Sequence, residues 1–216
     1  NGFMTRGRSY VSNIRSEIVV SKFPSVVAAY NSSDSKLWNY STSDRPYDIK
    51  VADVDPNTGN EVVSATKGGI YVIDSRGNII NSFPESGDIW FRSLGFTQVS
   101  GEPEEEIIGG TDSGEIYAIN STPSTVWQTD LDSSDSTAVL SIVSGNLSKE
   151  SGPEIAAGLE NGSIVLLNSQ GTVIDSYARN SAIDSLDTGQ VDSMNGEELG
   201  LSSSKAEIFN LYNLPE

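Results

Sequence analysis

The run from Asp53 to Glu61 places oxygen-bearing residues at every second position. Asp53, Asp55, Asn57, Gly59 and Glu61 alternate with other residues, so a loop bending round an ion could direct oxygens inward from positions 1, 3, 5, 7 and 9. Oxygen ligands suit a hard cation, and calcium fits this set better than zinc. The spacing therefore predicts a metal site with calcium as the cofactor, and a solvated acidic turn is the alternative.

Composition excludes much catalytic chemistry. The 216 residues include no cysteine and no histidine, which removes thiolate nucleophiles, Cys/His zinc sites and triads with an imidazole base. We therefore predict that the chain has no catalytic residues and is not an enzyme. The 30 acidic and 13 basic residues give a formal charge of −17, which repels a phosphate backbone and argues against nucleic-acid partners. The apolar runs are about a strand long, too short for a membrane span.

Three tryptophans are candidates for binding or for packing. Trp38 and Trp127 occupy equivalent positions of the repeat described below, so we expect them to pack between neighbouring sheets. Trp90 follows Gly87-Asp88-Ile89 and lies off that register. An aromatic side chain can stack on a ligand ring, and Trp90 is therefore the predicted ligand-binding residue.

Five Asn-x-Ser/Thr sequons are candidate glycosylation sites. They begin at Asn31, Asn39, Asn120, Asn146 and Asn161. A lysine-poor, serine-rich, acidic repeat chain without cysteine is typical of a microbial surface protein. Together these features favour an extracellular or cell-surface location.

An internal repeat must position all of these residues. A glutamate followed by aliphatic or small residues recurs at Glu17, Glu61, Glu106, Glu154 and Glu198, with separations of 44, 45, 48 and 44. A period of this length suits four short strands. Because the glutamate recurs where no ligand loop precedes it, we expect it to have a shared structural role as an acceptor of backbone hydrogen bonds.

The repeat predicts an all-β fold, a β-propeller of about five four-stranded repeats of 44–48 residues. Apolar runs rich in β-branched residues are bounded by turn residues, and Gly77 and Gly171 supply positive φ in two equivalent hairpins. We expect one domain over residues 1–216, either a five-bladed ring or part of a larger propeller. The last repeat lacks a fourth strand, which the stretch from Gly2 to Tyr10 could supply by closing the ring.

Two family resemblances accompany the repeat. The segment from Gly109 to Asn120, followed by Trp127, resembles the repeat of PQQ-like propellers, and the segment from Val51 to Val63 is similar to the FG-GAP or VCBS repeat. The second resemblance implies calcium bound by the side chains of Asp53, Asp55, Asn57 and Glu61 and by the carbonyl of Gly59. Thr58 stands where that family usually has glycine.

These observations predict a non-catalytic propeller module, stabilised by calcium, that binds a protein or a surface glycan or serves in structural display. One alternative is a decoration on an extracellular filament or surface-layer subunit, assembled through a missing N-terminal segment. Another is a polysaccharide-active or quinone-dependent enzyme domain. The absence of histidine and the scarcity of lysine and arginine count against the enzyme.

Overall fold

The structure is a computed structural model, and it consists of β-strands joined by turns and loops. It describes residues 8–11, 17–57, 59–84, 89–132, 136–148, 152–191, 193, 196–203 and 206–209. Within these ranges there is no helix, so none is long and apolar enough to cross a membrane. The expectation of an all-β chain is confirmed.

The chain divides into two compact units, residues 1–91 and 92–216. The first unit contains two antiparallel four-stranded sheets in simple up-and-down order. The strands of its first sheet are β1 (Arg8–Val11), β2 (Glu17–Lys22), β3 (Val26–Tyr30) and β4 (Lys36–Ser41). Those of its second sheet are β5 (Pro46–Ala52), β6 (Glu61–Thr66), β7 (Gly69–Ile73) and β8 (Ile79–Phe83).

The second unit repeats this arrangement. Its first sheet consists of β9 (Phe91–Thr97), β10 (Glu106–Thr111), β11 (Glu115–Ile119) and β12 (Thr125–Asp130). The next consists of β13 (Val139–Gly145), β14 (Glu154–Leu159), β15 (Ser163–Leu167) and β16 (Val173–Ala178). Three strands of the last sheet are described, β17 (Ser185–Gly189), β18 (Glu198–Ser202) and β19 (Ala206–Phe209).

The N-terminal strand does not complete the last sheet. Strand β1 pairs antiparallel with β2, with Arg8 opposite Val20 and Tyr10 opposite Ile18. The prediction that the stretch from Gly2 to Tyr10 supplies the missing strand is therefore wrong for residues 8–10, and residues 2–7 lie outside the described ranges. The physical reason is local: strands adjacent in sequence pair most readily, and β1 has β2 as its hairpin partner.

In three of the sheets the core lies along the second and third strands, which are β6 and β7, β10 and β11, and β14 and β15. Every residue of β6, β10 and β14 is buried, whereas the outer strands β4 and β12 alternate between exposed and half-buried positions. In the second unit, Ile108, Ile142 and Ile155 belong to one buried aliphatic cluster. Burial on both faces explains why the middle strands are continuous runs of Ile, Val, Ala and Gly, with no polar alternation.

The fourth strand of each four-stranded sheet, which is its outer strand, has a β-bulge at the same place. The pairing register shifts beside Tyr30, Ile73, Ile119 and Leu167, so one extra residue is inserted in β4, β8, β12 and β16. A bulge twists an edge strand and disturbs its row of unpaired backbone groups. The repeated bulge therefore makes the outer edges poor templates for pairing with another chain.

The hairpin before each outer strand is fixed by an asparagine or aspartate. The side-chain Oδ1 atoms of Asn31, Asp74 and Asn168 accept N–H bonds from residues two and four positions later, and Asn120 accepts one from Ser124. Such a side chain substitutes for a backbone acceptor in a tight turn. Gly77 and Gly171 follow with φ of +86° and +76°, which confirms the predicted hairpins.

Candidate functional site

The repeated glutamates have the structural role that the sequence indicates. Each begins the second strand of its sheet, and four of them are buried. Each of those four carboxylates accepts a hydrogen bond from the backbone N–H seven residues earlier. The pairs are Val54 to Glu61 (3.2 Å), Val99 to Glu106 (2.7 Å), Leu147 to Glu154 (2.8 Å) and Val191 to Glu198 (2.6 Å). The carboxylate thus closes the loop between the first and second strands by satisfying a main-chain donor.

The residues of the predicted metal loop occupy different environments. Asp53, Asn57 and Gly59 are exposed, whereas Asp55 and Glu61 are buried. The backbone N–H and the side-chain amide of Asn57 donate to the two carboxylate oxygens of Asp55, at 2.7 and 3.2 Å. Gly59 has a φ of +129° and supplies the bend. The Asp55 oxygens, which are predicted ligands of the ion, therefore accept local hydrogen bonds.

These residues do not form a preformed metal site. Among the described residues, no three His, Cys, Asp or Glu side chains are grouped so that they could hold a metal ion. Hydrogen bonds with local partners orient the Asp55 and Glu61 carboxylates, and Asp53 lies in solvent. Calcium binding by the loop stays a prediction.

The buried carboxyl of Glu61 has an unusual acidity. Burial raises its pKa to about 7, and the negative charges of Asp55 and Asp53 act in the same direction. Hydrogen bonds from the backbone N–H groups of Val54 and Asp55 lower the pKa and only partly offset these effects. Glu61 therefore gains a proton on folding at mildly acidic pH, because its usual pKa is 4.5.

We expect Glu61 to make stability depend on pH. Between its ordinary pKa and its folded pKa of about 7 the folded state binds more protons than the unfolded state, so stability falls as pH rises through that window. Solvent at the loop surface reduces the effect to about 1–2 kcal/mol. Urea unfolding from pH 5 to pH 8 should show this decline in the natural chain and a smaller one in Glu61→Gln. An exposed-site control, Glu160→Gln, should retain the full decline, and equal declines in all three would contradict the assignment.

The five sequon asparagines lie at turns or on exposed positions. Asn31, Asn120 and Asn161 accept turn hydrogen bonds through Oδ1, and Asn39 and Asn146 are exposed. A hydrogen-bonded turn is a sufficient reason for asparagine at the first three positions. Glycosylation of these residues stays a prediction.

Trp38 and Trp127 pack between neighbouring sheets, as their repeat positions predict. The indole Nε1 of Trp38 donates to the Ser75 carbonyl in the next hairpin, and that of Trp127 donates to the Ser169 carbonyl, both at 3.0 Å. The glycine of each receiving hairpin lies against the tryptophan side chain: a Cβ at Gly77 or Gly171 would come within 3 Å of it. These two tryptophans are packing residues.

Trp90 is half-buried at one end of the first unit, where it lies beside Tyr47 and Lys67, and Arg45 in turn lies beside Tyr47. Its ring centroid lies 5.5 Å from that of Tyr47, with planes tilted by 50°. The Lys67 Nζ lies 5.3 Å from the Trp90 centroid, and the Arg45 Cζ lies 5.4 Å from the Tyr47 centroid. We call Arg45, Tyr47, Lys67 and Trp90 the cation–aromatic cluster. Arg45 and Trp90 hold the same position in successive repeats. An alignment of the repeats could therefore have identified Arg45 from the position of Trp90.

Charge is distributed very unevenly between the two units. Residues 1–91 contain nine Lys and Arg and ten Asp and Glu, whereas residues 92–216 contain four and 20, giving formal charges of −1 and −16. In the second unit one end of the sheets is formed by two hairpins, β10–β11 and β14–β15, and by two loops, β12–β13 and β16–β17. Backbone bonds tie them together there, as from Glu160 N–H to the Ala138 carbonyl. That end carries Asp112, Asp130, Asp132, Glu160 and Asp184.

Comparisons with known proteins identify the fold. No protein-family model and no curated protein matches the chain. The chain is similar to the crystal structure of Saccharomyces cerevisiae Sqt1, with 15% identity and a TM-score of 0.72 over 92% of this chain. It is also similar to BBS1N, solved in complex with ARL6DN, with 15% identity and a TM-score of 0.66 over 93% of this chain. It spans 56% of the first structure and 61% of the second.

The likeness confirms the propeller prediction and corrects another one. Both neighbours are propellers, and with the antiparallel sheets they show that the chain has a β-propeller fold. Both are also intracellular proteins, and this finding contradicts the extracellular or cell-surface location. The acidic composition that suggested a microbial surface reflects an excess of acidic residues in one half of the chain. Such an excess does not specify a cellular location. Neither comparison shows a PQQ-like or FG-GAP family.

Proposed function

We propose that this chain is a non-catalytic protein-binding module whose principal partner is basic. The observation that carries the proposal is the formal charge of −16 confined to residues 92–216. A field of one sign raises the local concentration of an oppositely charged partner and speeds its association. The propeller supports this role because its sheets are rigid and its loops carry varied side chains.

The exposed acids of the second unit are available to such a partner. Glu102, Glu160, Asp184 and Asp187 are exposed. With four Lys and Arg for 20 Asp and Glu, the second unit has too few cations to neutralise most of its acidic side chains. No comparable feature favours a glycan, and a glycan partner is not part of the proposal.

The test compares two sets of four neutral substitutions. The first is Glu102→Gln, Glu160→Gln, Asp184→Asn and Asp187→Asn, and the matched control in the first unit is Asp34→Asn, Asp44→Asn, Asp53→Asn and Asp74→Asn. A partner captured with the natural chain should associate about tenfold more slowly with the first variant at low salt. The difference should shrink at about 1 M salt, where the Debye length falls to about 3 Å.

Stopped-flow or surface-based kinetics would measure these rates, and thermal melts would confirm that both variants fold. The control should change the association rate by less than about twofold. Captured partners without an excess of Lys and Arg, or equal slowing by both variants, would contradict the proposal.

A further inference from the structure

The cation–aromatic cluster is built from three segments of the first unit. Arg45 lies in the β4–β5 loop, Tyr47 in β5, Lys67 in the β6–β7 turn and Trp90 just before β9. In an up-and-down sheet these loops and this turn lie at the same end. The side chains follow one another there in the order cation, ring, ring and cation. The distances are 5.4 Å from the first cation to the first ring centroid, 5.5 Å between the ring centroids and 5.3 Å from the second ring centroid to the second cation. Each cation is within the range at which a ring face attracts it.

The fold itself does not require these residue types. Tyr47 is the extra residue of a β-bulge in β5, because Pro46 pairs with Thr66 and Asp48 pairs with Ala65. Strand β13 has the same bulge, with Val139 opposite Leu159 and Ser141 opposite Gly158. At the positions equivalent to Arg45, Tyr47 and Lys67, that sheet has Ala138, Leu140 and Glu160. The scaffold therefore forms equally well without the cations and the ring.

The two cations keep their capacity to bind an anion. Both Arg45 and Lys67 are exposed, and the ion pair found within the described ranges involves neither of them. A cation above a ring face is held by the ring's quadrupole and retains its N–H donors for carboxylate oxygens. In a chain of formal charge −17, these two exposed cations therefore form a small basic surface within the described ranges.

An exposed phenylalanine adds an apolar contact at the same end. Phe23 lies in the β2–β3 turn and is 84% exposed. The neighbouring Ser25 carbonyl accepts the Thr42 N–H at 2.9 Å, which ties this turn to the β4–β5 loop that carries Arg45. Aromatic and arginine side chains are enriched in the hot spots of protein interfaces, and both kinds occur at this end of the first unit.

We propose that the cation–aromatic cluster binds an acidic peptide segment of another protein, with carboxylates that meet Arg45 and Lys67 and an apolar side chain that meets the exposed ring of Phe23. Charge complementarity commits the occupant to an anion. A nucleic acid is disfavoured because the charge of the chain repels a long polyanion, whereas a short acidic segment carries only a few charges. This site belongs to the first unit and is selective for the charge opposite to the one that the second unit attracts.

The experiment uses the full chain and a fluorescein-labelled, glutamate-rich peptide with a central phenylalanine. Fluorescence anisotropy should show binding of this peptide at least about tenfold tighter than of the same peptide with lysine in place of glutamate. The double variant Arg45→Gln/Lys67→Gln should weaken binding by about tenfold or more. The matched control is Lys36→Gln/Arg76→Gln, which removes one lysine and one arginine, both exposed, from hairpins at the opposite end of the same unit. It should change binding less than about twofold.

Three results would overturn the proposal. The first is no preference for the acidic peptide, and the second is equal loss in the two double variants. The third is self-association seen by sedimentation that disappears in Arg45→Gln/Lys67→Gln, since this would assign the cluster to a second copy of the chain. Trp90→Leu provides an independent check, because it should weaken binding of the acidic peptide without changing the number of cations. Both double variants should melt within a few degrees of the natural chain, since the substituted cations are exposed.

Discussion

Replacement of Glu154 by alanine is expected to lower the unfolding free energy by about 3–4 kcal/mol. The side chain is 1% exposed, and its carboxylate accepts the backbone N–H groups of Leu147 and Ser148 at 2.8 and 3.0 Å and the Ser148 hydroxyl at 2.9 Å. Alanine leaves buried main-chain donors without an acceptor and removes packed atoms. Urea unfolding followed by tryptophan fluorescence would measure the loss.

Two further variants separate the hydrogen bonds from the packing. Glu154→Gln keeps the shape and one acceptor oxygen, so it should lose less stability than alanine. Glu160→Ala removes an exposed glutamate of the same sheet and should change stability by no more than about 0.5 kcal/mol. If Glu154→Ala cost no more than Glu160→Ala, the loop-closing role of the repeated glutamates would be wrong.

Replacement of Gly171 by alanine is expected to have a comparable effect through a different mechanism. The residue has a φ of +76°, and an added Cβ would lie 2.6 Å from ring carbons of Trp127. The left-handed backbone alone costs about 1–2 kcal/mol for alanine. Displacing the ring also strains the Trp127 hydrogen bond to the Ser169 carbonyl, so the total should reach about 3 kcal/mol.

Gly101 provides the matched control for this prediction. Its φ is +83°, and nothing lies within 4 Å of an added Cβ. Gly101→Ala should therefore show the backbone cost without the clash. In a double-mutant cycle, the loss of unfolding free energy caused by Gly171→Ala should be about 1–2 kcal/mol smaller in the Trp127→Ala background. Additive losses would show that the tryptophan does not restrict this glycine.

Local features of the fold could be read from the sequence. The repeated glutamates begin the second strand of each sheet, and the Asn or Asp positions fix the following hairpins. These features are predictable because a turn depends on residues within four positions and a strand depends on neighbouring apolar residues. The packing of Trp38 and Trp127 follows for the same reason, since equivalent repeat positions meet equivalent neighbours.

The candidate sites were less predictable. Alternating oxygens suggested a calcium loop at Asp53, yet the backbone N–H of Val54 and the amide of Asn57 bind the oxygens assigned to the ion. Spacing shows which oxygens are near in sequence, and it does not show which donors compete for them. Trp90 lies off the repeat position that Trp38 and Trp127 share, and the sequence does not show that its side chain meets Tyr47 and Lys67.

The sequence by itself determined that this chain forms repeats of four short strands and that a recurring glutamate marks a strand start in each repeat. Only the tertiary structure decided that Arg45, Tyr47, Lys67 and Trp90 share one surface and that Glu61 is buried beside Asp55. The reason is the range of the interactions. Hydrophobic pattern and turn chemistry act over a few residues, whereas the cluster joins side chains a whole repeat apart, which meet only when sheets have formed.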